Sequence, residues 1–237
     1  MSDTLDLIEK NVKSILANMS EFKNANLMAA IKTRSDEEVR KAYECGVRYF
    51  GENRVQELLA HYECVRSLPG ARLHMIGTLQ SNKVKYIIDK VDMIESLSSL
   101  SLAREIDKRA AKCGIKMPVL IEVNIGREPQ KDGISPEELP AFLRELASFP
   151  NVLPRGLMTI APVCEKSEDY VPYFNEMVHL RDEVFAPLFP CCERPLLSMG
   201  MSSNFRTALM CGSDFVRIGT GIFGARHYPT SAEDKKE

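Results

Sequence analysis

Pro118-Val119-Leu120-Ile121-Glu122-Val123-Asn124 is the stretch that decides the fold. It is a short, almost unbroken apolar run, too short for a helix and bounded by polar residues. A strand covered on both faces reads this way, because a parallel sheet packed between helices has no wet side. A helical pattern follows it at 136–149. The same alternation recurs on either side. Towards the N-terminus the pattern predicts strands at 27–32, 47–50, 72–76 and 92–95, with helices at 35–45, 52–63, 82–89 and 99–113. Towards the C-terminus it predicts strands at 152–159, 196–199 and 214–218, helices at 168–185 and 204–211, and a short helix near Ile222. Ser35 and Glu38 form a capping-box pattern, and Gly46 closes the helix they start. Leu5, Ile8, Val12, Ile15, Leu16 and Met19 add an amphipathic helix over 3–20, ahead of the first strand.

Eight strands, each followed by a helix, fit an α/β fold of one kind: a (β/α)8 TIM barrel with an additional N-terminal helix. An open doubly wound sheet is the alternative. It is weakened by the lack of a Gly-x-Gly-x-x-Gly turn after the first strand. No linker rich in Pro, Gly or Ser divides the chain, so 1–229 reads as a single domain and 230–237 as a frayed charged tail.

Composition narrows the function. Thirty-one basic against 33 acidic residues leave a net charge of −2, without the basic excess of a nucleic-acid binder. No run of 18 apolar residues exists, so no membrane span is expected. Met1-Ser2-Asp3-Thr4 has neither the basic nor the apolar region of an export signal, which points to a cytoplasmic protein. The seven cysteines include no C-x-x-C pair, and they read as reduced, mostly structural thiols. No His, Asp or Glu set has metal-ligand spacing. His61, His179 and His227 read as surface residues.

Lys32 ends the first apolar strand, which places its amine at the carboxyl face of a barrel, where barrel enzymes hold their reacting groups. Alternation puts Met28, Ala30 and Lys32 on one side, with the small Ala30 leaving room. A partly desolvated lysine can hold a neutral amine and condense with a carbonyl. The plainer reading is a strand-end lysine in solvent. Ser198-Met199-Gly200-Met201-Ser202-Ser203-Asn204 lies where strand seven turns into its helix. Gly200 would let the backbone approach a ligand, and Ser202 and Ser203 offer donors at a helix start; alternatively Ser203 merely caps the helix. Val216-Arg217-Ile218-Gly219-Thr220-Gly221-Ile222-Phe223-Gly224 follows, with glycines around Thr220 that suit a phosphate. Phosphate sites of these barrels are often built from the loops after strands seven and eight, the two loops concerned. Arg217 is a candidate for a ligand ring atom or a buried ion pair. Asn53 and His74, near strands two and three, are candidates for ring or supporting contacts, and Asn82 for a helix cap. A carbonyl-binding lysine and a phosphate site in one barrel together suggest pyridoxal 5′-phosphate.

At this point the chain resembles the pyridoxal phosphate homeostasis proteins, single-domain relatives of the alanine racemase barrel. The matching stretches are Ala30-Ile31-Lys32-Thr33, Gly51-Glu52-Asn53, the run from His74 to Lys83, Arg155-Gly156-Leu157-Met158, Ser198-Met199-Gly200-Met201-Ser202, and the run from Val216 to Arg226. The resemblance implies that Lys32 carries pyridoxal phosphate as an internal aldimine, that Ser202, Gly219 and Thr220 hold its phosphate, and that Arg217 faces the pyridine nitrogen. It also implies a role in vitamin B6 homeostasis, with pyridoxal-phosphate-dependent apoenzymes as partners and a monomeric state. Two residues depart from the pattern: Ile31 stands where a small residue is usual, and Asn204 where an acid is usual. Thirteen residues follow Gly224, too few for the second domain of a racemase. A binder that stores or delivers the cofactor is therefore expected ahead of an enzyme. The alternatives are a weakly active racemase-like enzyme and a Schiff-base aldolase.

Overall fold

The computed structural model describes residues 2–225. The tail at 230–237, Arg226 and His227 lie outside the described residues.

Eight parallel strands close into a barrel in chain order: β1 (Asn26–Ala30), β2 (Tyr49–Glu52), β3 (Arg72–Met75), β4 (Met93–Leu97), β5 (Met117–Glu122), β6 (Val152–Met158), β7 (Leu196–Ser198) and β8 (Phe215–Ile218). The ring is sealed where β1 pairs with β8, Met28 opposite Arg217 and Ala29 opposite Ile218. That closure sets the first strand beside the last. The helices are α1 (Ser2–Met19), α2 (Asp36–Glu44), α3 (Val55–Arg66), α4 (Leu100–Cys113), α5 (Leu139–Leu146), α6 (Val171–His179), α7 (Ala186–Leu188), α8 (Phe205–Met210) and α9 (Thr220–Phe223). The expected capping box is present: Ser35 Oγ accepts from Glu38 N, and Ser35 N donates to Glu38 Oε2 at 2.8 Å. Gly46, just past α2, has φ +110°, the left-handed stop the sequence announced.

The main core fills the layer between barrel and helices. Inside the barrel two smaller apolar clusters form, Met28 with Ile76 and Phe215, and Met93 with Leu120 and Met158. Ile31 is fully buried in the outer layer, so its departure from the family's small residue falls on the face away from the barrel interior. Of the α1 stripe, Ile8, Val12, Ile15 and Met19 are buried. Asn11 Nδ2 donates to Ile222 O at 2.9 Å, which ties α1 to α9.

Several expectations need correction. Residues Ser81–Tyr86 wind as a short 3-10 helix, where an α-helix over 82–89 was expected. Val84 is the segment's one buried residue, too narrow an apolar face to hold an α-helix. Asn82 is not its cap; Gln80 stands there, without a side-chain bond. The expected long helix at 168–185 changes winding: a 3-10 turn at Ser167–Tyr170, α6, a π-turn at Leu180–Phe185, then α7. Leu180 and Phe185 are both buried. Five residues apart, they reach one face only if the turn is widened. All seven cysteines are free, and burial pushes the thiols of Cys45, Cys64, Cys192 and Cys211 up, away from reactivity.

Candidate functional site

The C-terminal mouth of the barrel holds a cavity of about 390 Å³, lined by Lys32, Thr33, Asn53, Ile76, Gly77 and Glu122 among others. Lys32 is half-buried, one residue beyond the fully buried Ile31. The next residue, Thr33, has φ +63°. A β-branched side chain in the left-handed region is strained by about 1–3 kcal/mol, and such strain gathers at working sites. The surroundings hold it in place. Thr33 N donates to Glu57 Oε2 at 3.1 Å. Arg34 donates to Phe223 O and Gly224 O at 3.4 and 3.2 Å, and its guanidinium lies 5.2 Å from the Phe223 ring centre. The loop after β1 is thereby bolted to α3 on one side and α9 on the other.

His61 secures the same loop from beneath, and it is not the surface residue expected. It is 7% exposed. Its Nδ1 donates to Glu52 Oε1 at 2.6 Å and its Nε2 to Arg34 O at 2.8 Å. Both ring nitrogens face carboxyl or carbonyl oxygens, an arrangement that favours the charged form of the ring. The Glu52 hydrogen bond raises its pKa against the pull of burial. Glu52 Oε2 also accepts from Asn53 N at 3.2 Å. Gly77 packs on the same backbone: a Cβ there would fall 2.4 Å from Asn53 O, so only glycine allows β3's loop to lie this close.

Ser202, Gly219 and Thr220 do not line that cavity. They form a cluster on the adjoining loops of the same mouth. Thr220 Oγ1 donates to Ser202 Oγ at 3.2 Å, and Gly221 N donates to the same oxygen at 3.2 Å. A Cβ at Gly219 would lie 3.5 Å from Ala30, two residues before Lys32. Gly200 has a different reason from the ligand approach expected. Its φ is +96°, and a Cβ would lie 2.5 Å from Ala208 Cβ; the contact is with its own helix α8. Ser203 is exposed and does not cap α8. Asn204 is the residue at the cap, and its Oδ1 accepts from Met201 N at 2.7 Å. An uncharged amide does there what a carboxylate oxygen would do.

Below the mouth runs a polar column that the sequence did not reveal. Arg217, 5% exposed, donates Nη1 to Ser198 Oγ and Nη2 to Thr159 O, each at 2.7 Å. Ser198 Oγ donates to Glu95 Oε2 at 2.6 Å, and Glu95 Oε1 pairs with His74 Nδ1 at 2.7 Å. Burial pushes the Glu95 carboxyl up. The His74 hydrogen bond, the charges of His74 and Arg217, and the Ser198 hydroxyl outweigh it and hold the group below the ordinary carboxylate value. His74 thus lies in the middle of the barrel and faces the opposite, N-terminal mouth; it is not among the residues lining the Lys32 cavity.

Glu122, at the end of β5, also escaped the sequence reading. It is 7% exposed and lines the cavity with Lys32. Burial, then the charge of Asp132, push its carboxyl up to about 7 against the pull of Arg217. A carboxyl that titrates near neutrality can give or take a proton. Among the described residues no group of three or more His, Cys, Asp or Glu is placed to hold a metal ion, and no helix is long and apolar enough to cross a membrane.

Comparison with known proteins agrees on one lineage. Residues 4–227 match the family described as "Alanine racemase, N-terminal domain". A pyridoxal phosphate homeostasis protein of Aquifex aeolicus is 47% identical over 204 residues, covering 86% of this chain and 88% of the relative. Another, of Haemophilus influenzae, is 34% identical and covers 96% of each chain. The structure of PipY from Synechococcus elongatus, solved with PLP bound, aligns with a TM-score of 0.83 at 32% identity, over 92% of this chain and all of that one.

Proposed function

This chain belongs to the family of the pyridoxal phosphate homeostasis proteins, within the wider family of the alanine racemase N-terminal domain; on that premise we propose that it binds pyridoxal 5′-phosphate at the C-terminal mouth and serves intracellular vitamin B6 homeostasis. The observation that carries the reading is the closure of β1 on β8. It brings Lys32 into the same mouth as the loop of Gly219 and Thr220, though Lys32 and Gly219 stand 187 positions apart in the chain.

The residues present fit the group. A phosphorylated aldehyde needs an amine, an anion cradle and a partner for its ring. Lys32 offers the amine. Ser202 and Thr220 offer hydroxyls joined to each other, and Thr220 is set between Gly219 and Gly221. Arg217 and Asn53 are assigned to the ring. When bound, pyridoxal phosphate supplies an electrophilic aldehyde and a ring that accepts electron density. Lys32 holds it covalently. Ser202, Gly219 and Thr220 hold the phosphate. A cation at Arg217 keeps a proton off the ring nitrogen, which leaves the ring a poor electron sink and favours custody over turnover. Asn53, set by Glu52 and Gly77, orients the ring. His74 acts at a distance, through Glu95 and Ser198 on Arg217. The reading extends to a single domain over 1–229, a cytoplasmic monomer, and apoenzymes as recipients of the cofactor.

A second reading, a weakly active racemase-like enzyme, is favoured by one observation: Glu122 is an acid–base group on the Lys32 cavity. Two measurements decide. Reconstituted protein is expected to turn yellow and bleach with borohydride, and Lys32→Ala to stay colourless. A colourless wild type would point to an aldolase instead. Incubation with amino acids is expected to give no rapid turnover; rapid racemisation that Glu122→Gln abolishes would establish the second reading.

A further inference from the structure

The N-terminal mouth, opposite Lys32, opens into a cavity of about 410 Å³, a size typical of small-molecule sites. The proposed cofactor chemistry makes no use of it. Three rings meet in its wall, two of the pairs edge-on and the third tilted. Tyr49 and Phe215 lie 4.9 Å apart at 80°, Tyr49 and His74 5.6 Å apart at 76°, and His74 and Phe215 5.7 Å apart at 58°. Such a set accepts a further ring in the same edge-to-face manner.

Three arginines line the cavity with them: Arg72, Arg155 and Arg194. Two are already neutralised, Arg72 by Asp92 at 2.8 Å and Arg194 by Asp214. Arg155 is half-buried, and among the described residues its guanidinium has neither an ion pair nor a hydrogen bond. A partly desolvated guanidinium without a counter-ion is costly, and an anion offsets the cost. Arg155 also opens the motif Arg155-Gly156-Leu157-Met158, to which the Lys32 cavity assigns no role for the arginine.

The geometry points to a binding site in this mouth for a small aromatic monocarboxylate, its ring against Tyr49 and Phe215 and its carboxylate on Arg155. One negative charge is called for because one guanidinium is left unneutralised, and its planar fork matches a carboxylate. The site is separate from Lys32. His74, in its wall, begins the column through Glu95 and Ser198 to Arg217.

Isothermal titration of the purified chain with benzoate and with phenylpyruvate tests this, with acetate and benzyl alcohol as the two halves of the ligand. Saturable one-to-one binding of the aromatic carboxylates is expected, at least tenfold tighter than either half. Arg155→Gln is expected to weaken it by about 10- to 100-fold, the worth of a charge-assisted pair. Lys32→Ala is expected to leave it unchanged, which separates this site from the cofactor pocket. Absence of saturable binding, equal affinity in Arg155→Gln, or loss in Lys32→Ala would overturn the proposal. If Arg155→Gln fails to fold, equal affinity of the wild type for benzoate and benzyl alcohol overturns it. The cofactor assignment stands or falls separately, on colour and on the reduced adduct.

Discussion

Glu95, midway along the barrel, and Glu122, at its C-terminal mouth, stand on neighbouring strands at almost the same burial, 0% and 7% exposed. Burial pushes both carboxyls up. Glu95 is nevertheless held as a carboxylate, while Glu122 is left near 7. The difference is in donors. Glu95 receives hydrogen bonds from His74 and Ser198 and lies near Arg217. Glu122 has no hydrogen bond to its carboxyl among the described residues, and Asp132 adds a like charge. Depth alone does not fix the charge of a buried acid; the number of donors aimed at it does. The middle of the barrel is thus electrostatically settled, and the mouth beside Lys32 is left titratable.

The largest expected effect breaks the settled half. Glu95→Ala leaves Arg217 buried without its nearest counter-charge and His74 without its partner. A loss of about 3–5 kcal/mol is expected from urea unfolding at pH 7. A loss under about 1 kcal/mol would mean that the column contributes little.

The next effect has the opposite sign. Glu122 carries a folded-state pKa of about 7, against 4.5 for a glutamate free in water. Its proton is bound more tightly in the folded state, so its contribution is full below about pH 4.5 and is lost as pH rises through 7. Glu122→Gln, always neutral, is expected to match the wild type in acid and to exceed it by up to about 3 kcal/mol at pH 8. A constant difference across that window would place the carboxyl at its ordinary value. Smaller still is Ser198→Ala, which removes one hydroxyl serving both Glu95 and Arg217. About 1–2 kcal/mol is expected, with the Glu95 carboxyl moved upward in a carbon-13 titration.

The sequence made the barrel legible for a physical reason. Strands covered on both faces must be nearly all apolar, so runs such as 118–124 and 27–31 stand out between helical patterns. The loops of Lys32, Ser202 and Gly219 were legible too, because glycines and hydroxyls after apolar strands are local signals. The polar column was not. Glu95 meets His74 across 21 residues and Ser198 across 103, pairings that only closure of the barrel creates. In the sequence, Glu95 looks like a strand-end charge, and Glu122 is a single acid within an apolar run. His61 misled for the same reason: its partner Glu52 lies on β2 while His61 lies on α3, and a single histidine on a helix carries no mark of a buried acid beneath it. Local winding at 81–86 and 180–185 was hidden because apolar spacing sets which residues are buried before it sets the pitch that buries them.

The assignment of Lys32 is tested most directly by mass spectrometry of the protein after loading with pyridoxal phosphate, borohydride reduction and proteolysis. The account predicts one stoichiometric phosphopyridoxyl adduct, on the peptide containing Lys32, and none there in Lys32→Ala. An adduct on another lysine, or no retained adduct in the wild type, would contradict it.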